Sequence, residues 1–425
     1  MTDRVTFTLA CGAGADGTAC AVLDWARSGA MALTGHPDGP PLAPLGPVAG
    51  RVTAVVAALA DATARWGRRV DLDTGSLLSA RAGEQGWTRG GGRTSANGSA
   101  RLLGAPDGWI AVNLSRSYDL EVLPAVLGRP IETANAWAAL ADLAGTRPAR
   151  EVVAALQEIG IPAAVLGEAA GRAPVRWLRV GRPASRRRRP PVVVDFSAMW
   201  AGPLAARILS RAGATVVKVE DVRRPDGARF GPPRFWAQLH HGQRIVRLDF
   251  GSPSGQQDLR ELVAGADVVV EASRPRALRR LGLIAEEFVA DRPGRTWLSI
   301  TGYGRTAECE HRVAFGDDAA VAGALVAWDG AGRPVFCGDA IADPLTGLYA
   351  AAAAVRSQLS GGGHLLDVAM AGVCAGIGAS GADPPRRHEV WRRGTGWVVT
   401  HEEAAEAEVA PPAAGPLFTG ASTED

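Results

Sequence analysis

Lysine is nearly absent from this sequence, and an excess of charge of either sign is missing as well. Lys218 is the only lysine among 425 residues, and 46 basic residues stand against 44 acids to leave a formal charge of +2. A chain so balanced creates no global field that attracts nucleic acid or an anionic membrane, although local arginine clusters still suit phosphates. We therefore expect no nucleic-acid partner and no membrane partner.

Paired cysteines and long apolar runs are also missing. The cysteines form no CxxC pair and have no neighbouring histidine framework, so their spacing predicts neither a metal site nor a disulfide scaffold. We expect no bound metal and a reducing, cytoplasmic setting. The N-terminal apolar run is too short for a signal peptide, and no run reaches the roughly 18–20 residues that span a bilayer, which predicts a soluble protein. The cysteines are Cys11, Cys20, Cys309, Cys337 and Cys374.

An internal repeat is the most informative feature that the sequence does have. The stretch "AVLDWARSG" around Asp24 aligns without a gap with "FGDDAAVAG" around Asp318, and a long alanine-rich helix pattern and a short strand pattern follow each. Two copies are too few for a solenoid, so we interpret them as a duplicated half-domain. Because the first copy lacks the Gly316 and Asp317 of the second, we expect it to be structural, with Asp24 as a helix cap.

Strand and helix patterns alternate from Val192 onwards. The runs "VVVDFS", "TVVKVE", "DVVVEAS" and "RTWLSITG" are typical of buried strands, and helix patterns separate most of them. This order predicts an α/β fold with a Rossmann-like parallel sheet covered on both faces. Ahead of it, residues 93–180 combine the strand pattern "GWIAVNL" with two helix patterns, which predicts a small α/β domain.

The first strand of this sheet is not followed by a GxGxxG dinucleotide motif. The helix there begins with Gly202 and Pro203, a pattern that by itself indicates only a tight turn. Arginines do fall where the strands end, at the edge where open α/β sheets bind ligands. Guanidinium groups donate to phosphate in a fixed fork and stay charged, so together they suggest a polyphosphate ligand. These arginines are Arg223, Arg224, Arg274 and Arg280.

Six stretches, in this order, resemble the family III (CaiB/BaiF-like) CoA-transferases, which include carnitine CoA-transferases, formyl-CoA transferase and the 2-methylacyl-CoA racemases. The resemblance extends from about Pro191 to Ala375 and implies the family fold, a large Rossmann-like domain plus a small α/β domain. It implies no tightly bound cofactor, because coenzyme A enters as the acyl-CoA substrate. The stretches are "VVVDFSAMWAGPLAARILSRAGATVVKVE", "LHHGQRIVRLDFGSPSG", "ADVVVEASRPRALRRLGL", "SITGYG", "FGDDAAVAGAL" and "GDAIADPLTGLYAA".

By this resemblance, Asp318 is the nucleophile of a CoA transfer between an acyl-CoA and a small carboxylic acid. Its carboxylate would attack the thioester to give a mixed anhydride, and CoA thiolate would return to form an aspartyl-CoA thioester. We expect the start of its helix to keep Asp318 ionised. The residues implied to contact CoA are Met199, Trp200, Ala201, Arg244, Arg274 and Arg280, to which the strand-end pattern adds Arg223. Those implied to form a glycine loop over the site are Gly90, Gly91 and Gly92.

Departures from the family pattern leave two alternatives open. The chain has "HHGQR" ending at Arg244 where relatives commonly have Asn-Arg-Gly-Lys-Arg, and Asp317 stands where the racemases often have histidine. A 2-methylacyl-CoA racemase would exchange the α-hydrogen with solvent and need no acceptor acid. A catalytically decayed CoA-binding protein would bind CoA without either reaction.

The order of the segments also differs from the family, in which the nucleotide-side half comes first. We therefore expect either an internally fused pseudo-dimer or a homodimer. The predicted segments are 1–92, a partial duplicate of the nucleophile-helix region; 93–180, the small α/β domain; 181–191, a linker; 192–375, the Rossmann-like large domain; and 376–425, an irregular tail.

Overall fold

The computed structural model describes residues 4–10, 20–185, 190–379, 385–401 and 405–419. Within these ranges no helix is both long enough and apolar enough to cross a membrane. The helices are α1 Ala21–Arg27, α2 Val48–Trp66, α3 Thr74–Gln85, α4 Ser117–Val122, α5 Pro124–Leu127, α6 Ala136–Thr146, α7 Ala149–Glu158, α8 Ala201–Arg211, α9 Pro233–His240, α10 Pro253–Gly265, α11 Arg276–Arg279, α12 Ala285–Asp291, α13 Gly316–Ala322, α14 Ala342–Leu359 and α15 Met370–Gly378.

In the part of the chain that the structure describes, the strands form one seven-stranded sheet and four smaller sheets. They are β1 Arg4–Ala10, β2 Asp71–Leu72, β3 Ala100–Ala105, β4 Gly108–Asn113, β5 Ala163–Val165, β6 Val175–Arg179, β7 Val192–Asp195, β8 Thr215–Asp221, β9 Arg244–Leu248, β10 Val268–Glu271, β11 Thr296–Thr301, β12 Val326–Trp328, β13 Pro334–Phe336, β14 His364–Ala369, β15 Pro385–Arg393, β16 Gly396–His401, β17 Ala405–Glu408 and β18 Phe418–Thr419.

The large sheet has the strand order β6-β14-β11-β10-β7-β8-β9. Its neighbouring strands are parallel, except that β6 pairs antiparallel with β14. Helices cover both faces: Val193 packs into the core that contains Leu204 of α8, and Val194 into the core that contains Leu259 of α10. Strands buried on both faces are apolar at successive positions, which explains the "VVV" runs. The predicted α/β fold with a large, mainly parallel sheet is confirmed.

A second, smaller sheet precedes the large one in the sequence. Strands β3, β4 and β5 are antiparallel, and α6 and α7 pack on them around a core that includes Ile110, Leu140 and Leu156. The opposite face of this sheet packs against α13 and β13 through a separate apolar cluster that contains Ala111, Val321 and Phe336. This contact places the small sheet directly against the helix that carries Asp318.

The two repeat copies pack against each other in one hydrophobic core. Helices α1 and α13 each have seven residues, and the interval from Asp24 to Asp318 equals that from Val48 to Ala342, the first residues of α2 and α14. Helix α2 lies against α14, and side chains from both copies share the core beside α8. The duplication stays a prediction. A duplicated segment would give the equal intervals that these helices show.

The segment 376–425 is more regular than the sequence suggests. Strands β15, β16 and β17 continue an antiparallel sheet that begins with β1, and β18 pairs with β2. Three valines, Val390, Val398 and Val399, are fully or almost fully buried in this sheet, amid mostly polar neighbours. These strands are hard to predict from the sequence because few of their residues alternate between apolar and polar. Their pairing partner β1 also lies at the other end of the sequence. In the predicted linker, residues 186–189 lie outside the described residues.

Lys218 is fully buried on β8, the strand next to the edge strand β9 of the large sheet. Its ammonium nitrogen lies 3.1 Å from Asp226 and 4.0 Å from Asp195, and it donates to the carbonyl of Ser197. Asp226 also accepts the backbone N–H of Met199, which has a φ of 70°. Residues other than glycine rarely adopt this left-handed backbone conformation. The charge network therefore holds the turn between β7 and α8 in a conformation that its backbone would not otherwise favour.

We predict that Lys218→Met destabilises the protein by about 3–5 kcal/mol, because it leaves buried carboxylates without their counter-charge. Adding Asp226→Asn should recover part of this loss, since asparagine still accepts the Met199 N–H but carries no charge. Urea unfolding of both variants measures the effect. An unchanged unfolding midpoint in Lys218→Met would show that the network contributes no net stability.

Candidate active site

Asp318 occupies the third position of α13 and is fully buried. One carboxyl oxygen, Oδ1, accepts the backbone N–H of Phe315 at 3.0 Å, which closes the first turn of the helix. The other, Oδ2, is buried and has no hydrogen-bond partner among the described residues. A buried acceptor without a partner costs free energy, so it marks a position where stability alone does not explain the residue.

Three further aspartates surround this helix start. Asp317 accepts hydrogen bonds from Asn97 at 3.2 Å and from the backbone N–H of Ala340 at 3.0 Å. Asp339 binds Arg81 in a two-pronged ion pair, at 2.6 and 2.8 Å. Asp343, at the start of α14, lies beside them and is partly buried. We call Asp317, Asp318, Asp339 and Asp343 the acidic cluster.

Gly316 makes this close arrangement possible. A Cβ atom at this position would collide with the carbonyl oxygen of Ala340 and with the carboxyl group of Asp343. Only glycine therefore lets the first residue of α13 come this close to the segment that leads into α14. The Gly-Asp-Asp triplet thus has a packing role in addition to the chemistry proposed for its aspartates.

Burial is the largest influence on the pKa of three of these aspartates, Asp317, Asp318 and Asp343. It raises the pKa of Asp318 well above its usual value. It also raises the pKa of Asp317 to about 6, with a contribution from the Asp339 carboxylate, and that of Asp343 to about 7. Burial opposes the expected effect of the helix start on Asp318, because a helix terminus stabilises an anion by only about 0.3–1 kcal/mol and loss of water costs more.

Arg81 reaches the acidic cluster from α3, in the segment that contains the first repeat copy. Its guanidinium also lies over the ring of Trp200, 4.7 Å from the ring centroid, and Trp200 packs edge-to-face on Phe235. Sequence reasoning did not find Arg81 or Asn97, because nothing in their local patterns indicates a partner more than two hundred residues away. The site is therefore assembled from both ends of the chain.

The first copy has no comparable arrangement at Asp24. Helix α1 begins at Ala21, so Asp24 is not its cap, and the prediction that it caps a helix is wrong. Asp24 instead forms a partly exposed ion pair with Arg27, three residues further along α1, at 3.4 Å. Among the described residues, Asp24 has no side-chain hydrogen bond or ion pair from a distant segment of the kind that Asn97 and Arg81 make with the second copy's acids.

The predicted glycine loop packs against its own surroundings. Gly92 has a φ of 68° and lies against the ring of His36, and Gly90 lies against the backbone of Ser95. Instead of these glycines, Asn97 in the same segment contacts the acidic cluster. The segment thus reaches the site through an amide side chain.

The residues implied to contact CoA lie in three places. Met199, Trp200 and Ala201 form the turn into α8, where Met199 is exposed and the other two are buried. Arg223 and Arg244 are exposed near the edge strand β9, where Arg223 pairs with Asp249 at 2.9 Å. Arg274 and Arg280 lie on either side of α11.

A cavity of about 710 Å³ opens between α7 and the start of α11. Burial and the charges of nearby arginines, Arg276 first, lower the pKa of Arg274, so its surroundings are strongly positive. Arg312 lies over the ring of Tyr303 at 3.5 Å and borders this cavity. Gln157, another lining residue, bonds to the backbone of Val313, two residues before Phe315. The lining arginines are Arg150, Arg172, Arg274, Arg276 and Arg312.

Comparison with known proteins identifies one family that this sequence resembles. Residues 191–383 match the model of CoA-transferase family III. The chain is 31% identical over 189 residues to succinyl-CoA–D-citramalate CoA-transferase of Chloroflexus aurantiacus, which covers 41% of this chain and 47% of that one. It is 32% identical over 194 residues to human succinyl-CoA:glutarate CoA-transferase, with coverage of 42% and 44%. The resemblance to this family is confirmed.

A solved CaiB/BaiF family protein from Brucella suis is also similar. It shows 28% sequence identity, covers 46% of this chain and 56% of that chain, and superposes with a TM-score of 0.40. The chain spans about half the length of the curated relatives it matches. Residues 191–383, which match the family III model, contain all four aspartates of the acidic cluster.

We predict that Asp343→Asn stabilises the protein increasingly as pH rises. In the unfolded chain this carboxyl ionises near its usual value of 3.8, whereas folding raises the pKa to about 7. The contribution of Asp343 to folding stability is therefore fully present below its pKa in the unfolded chain. It is lost as pH rises through the pKa in the folded protein, by on the order of 2–4 kcal/mol. Asparagine removes that loss.

Chemical denaturation at pH 5 and pH 8 measures this effect, with Asp258→Asn, an exposed residue of α10, as the matched control. The stability gained by Asp343→Asn should be larger at pH 8, and the control should show no such trend. An Asp343→Asn variant that is destabilised equally at both pH values would contradict the raised pKa.

Proposed function

We propose that this protein transfers CoA between an acyl-CoA thioester and a free carboxylic acid, with Asp318 as the nucleophile. The observation that carries the proposal is the buried Oδ2 of Asp318, which has no hydrogen-bond partner among the described residues, within a family III CoA-transferase segment. The named relatives are CoA-transferases that use succinyl-CoA, with citramalate or glutarate as the partner acid. A small carboxylic acid is the acceptor class that we propose here.

The reaction proceeds by two exchanges at one carboxyl group. A carboxylate oxygen of Asp318 attacks the thioester carbonyl and expels CoA thiolate, which leaves a mixed anhydride. The thiolate then attacks the aspartyl carbonyl and expels the original acid, which leaves an aspartyl-CoA thioester. The acceptor carboxylate repeats these steps in reverse, so that acyl-CoA forms and Asp318 is regenerated. No electron acceptor or further reactant is needed.

The raised pKa of Asp318 has two opposite effects on this chemistry. A more basic carboxylate is the better nucleophile, but a smaller fraction is ionised at neutral pH. The transfer rate should therefore rise with pH until Asp318 is fully ionised. Because Asp318 is fully buried, access of the thioester requires a change in the surrounding packing.

The arginine-lined cavity is where we place the phosphate groups of CoA. Guanidinium groups suit phosphates, and Arg274 and Arg276 lie in an excess of positive charge that such a ligand would neutralise. Contacts from Gln157 to Val313 connect this cavity with the segment leading to Asp318. The pantetheine arm of CoA would follow that direction, with Arg312 and Tyr303 beside it.

A single chain supplies both sides of the proposed site. Arg81 comes from the region of the first copy, and the acids that it neutralises come from the second. This arrangement supports an internally fused pseudo-dimer, in which the first copy has kept its packing role and lost its acids.

We predict that Asp318→Asn lowers the transfer rate by at least about 10³-fold while the protein remains folded. Asparagine keeps an oxygen that can accept the Phe315 N–H but is not an ionised nucleophile. Transfer of CoA from a panel of acyl-CoA donors to small acids, followed by liquid chromatography and mass spectrometry, measures the rate. Asp24→Asn, the equivalent change in the first copy, is the control and should leave the rate within about twofold.

Equal losses in both variants would contradict the assignment of Asp318 as the single nucleophile. The same samples, run in deuterated water, test the racemase alternative. Deuterium at the α-carbon of the acyl group without net CoA transfer would replace the proposal with an isomerase. Binding of CoA with neither product would identify a CoA-binding protein.

A further inference from the structure

A cysteine and two histidines come together far from the acidic cluster in sequence. The sulfur of Cys20 lies 3.1 Å from Nε2 of His388, and one donor atom from each of Cys20, His388 and His401 lies within 4.8 Å of the others. The two imidazole rings are stacked, with centroids 4.9 Å apart. Cys20 and His388 are buried, and His401 is partly exposed. We call these three residues the Cys-His-His cluster.

Backbone structure fixes the position of each member. His388 on β15 and His401 at the end of β16 are directly opposite each other in the antiparallel pair, so their side chains share one face of the sheet. Cys20 is the residue immediately before α1, and α1 packs against β16 and β17. A hairpin near one end of the sequence and the residue before α1, near the other end, therefore place their donor atoms close together.

The donor set identifies the class of ligand. A thiolate and two imidazoles suit zinc and similar transition metals, whereas magnesium and calcium require oxygen ligands. In a tetrahedral zinc site the bonds of about 2.0–2.3 Å place neighbouring donors about 3–4 Å apart. The separations in the Cys-His-His cluster reach this range with small side-chain adjustments.

We propose that Cys20, His388 and His401 bind one zinc ion. Three protein ligands leave a fourth position for water or for an added ligand, as in exchangeable zinc sites. The ion connects the residue before α1 to the sheet of β15 and β16. Metal that binds only the folded chain stabilises the folded state by mass action. The bound ion would therefore stabilise the packing of the C-terminal sheet against the first repeat copy. The proposal is independent of the CoA-transferase chemistry.

The spacing of the cysteines along the chain predicts no such site. Cys20 and His388 are 368 positions apart, and neither lies in a CxxC or HxxxH pattern. The site arises only when β15 and β16 form and α1 packs on them. A zinc site assembled in this way has no local signature in the sequence.

The test uses the full chain with no polyhistidine tag, purified from cells grown with added zinc. Elemental mass spectrometry should find about one zinc per chain in the wild type and far less in Cys20→Ser and in His388→Gln. Cys374→Ser is the matched control, since Cys374 is a buried cysteine outside the cluster, and it should retain the metal. Wild-type protein with far less than one zinc per chain, or equal zinc in all variants, would overturn the proposal.

Cobalt substitution decides the point even if the variants fail to fold. Removal of metal from the wild type with a chelator, followed by titration with Co²⁺, should produce a thiolate-to-cobalt charge-transfer band that saturates at one equivalent. The chelator should also lower the melting temperature by several degrees, and zinc should restore it. Absence of the charge-transfer band, with no change in melting temperature, would overturn the proposal.

Discussion

Burial of several carboxyl groups against one guanidinium is the constraint on which this site depends. Arg81 binds Asp339 through two hydrogen bonds, and its charge also opposes the raised pKa values of Asp317 and Asp343. Without that positive charge, the pKa values of Asp317 and Asp343 would be raised further. The ion pair between Arg81 and Asp339 also connects the segment of the first repeat copy with the proposed active site of the second. Packing, charge and the proposed function therefore meet at a single ion pair.

Small residues allow the elements around this pair to approach closely. Gly347 in α14 lies so near the first turn of α8 that a Cβ atom would come within 2.7 Å of the Ala201 carbonyl oxygen. Gly316 plays the same part between α13 and the start of α14. The alanine-rich character of α14 serves the same end, because small side chains let a helix be buried on nearly all sides. Composition that looks unspecific in the sequence is here a condition for the buried acidic cluster.

The sequence predicts the large sheet well because its signal is local. Runs such as "VVVD" at β7 and "VVVE" at β10 are continuous, and the helices between them have clear ends. The start of α13 is predictable for the same reason, since the Gly-Asp-Asp triplet lies within one short segment. What could not be predicted depends on contacts between distant residues: Arg81 with Asp339, Asn97 with Asp317, and the Cys-His-His cluster. The raised pKa of Asp318 has no local sequence signal either, because the burial that causes it is a property of the whole fold.

The central claim is that Asp318 becomes covalently activated by acyl-CoA. Intact-protein mass spectrometry after incubation with acyl-CoA thioesters tests it most directly, with hydroxylamine in a parallel sample to capture an activated aspartyl group. The account predicts a CoA-sized adduct, and a hydroxamate that peptide mapping places on Asp318. An unmodified Asp318 in protein shown separately to bind CoA and to transfer it would contradict the account.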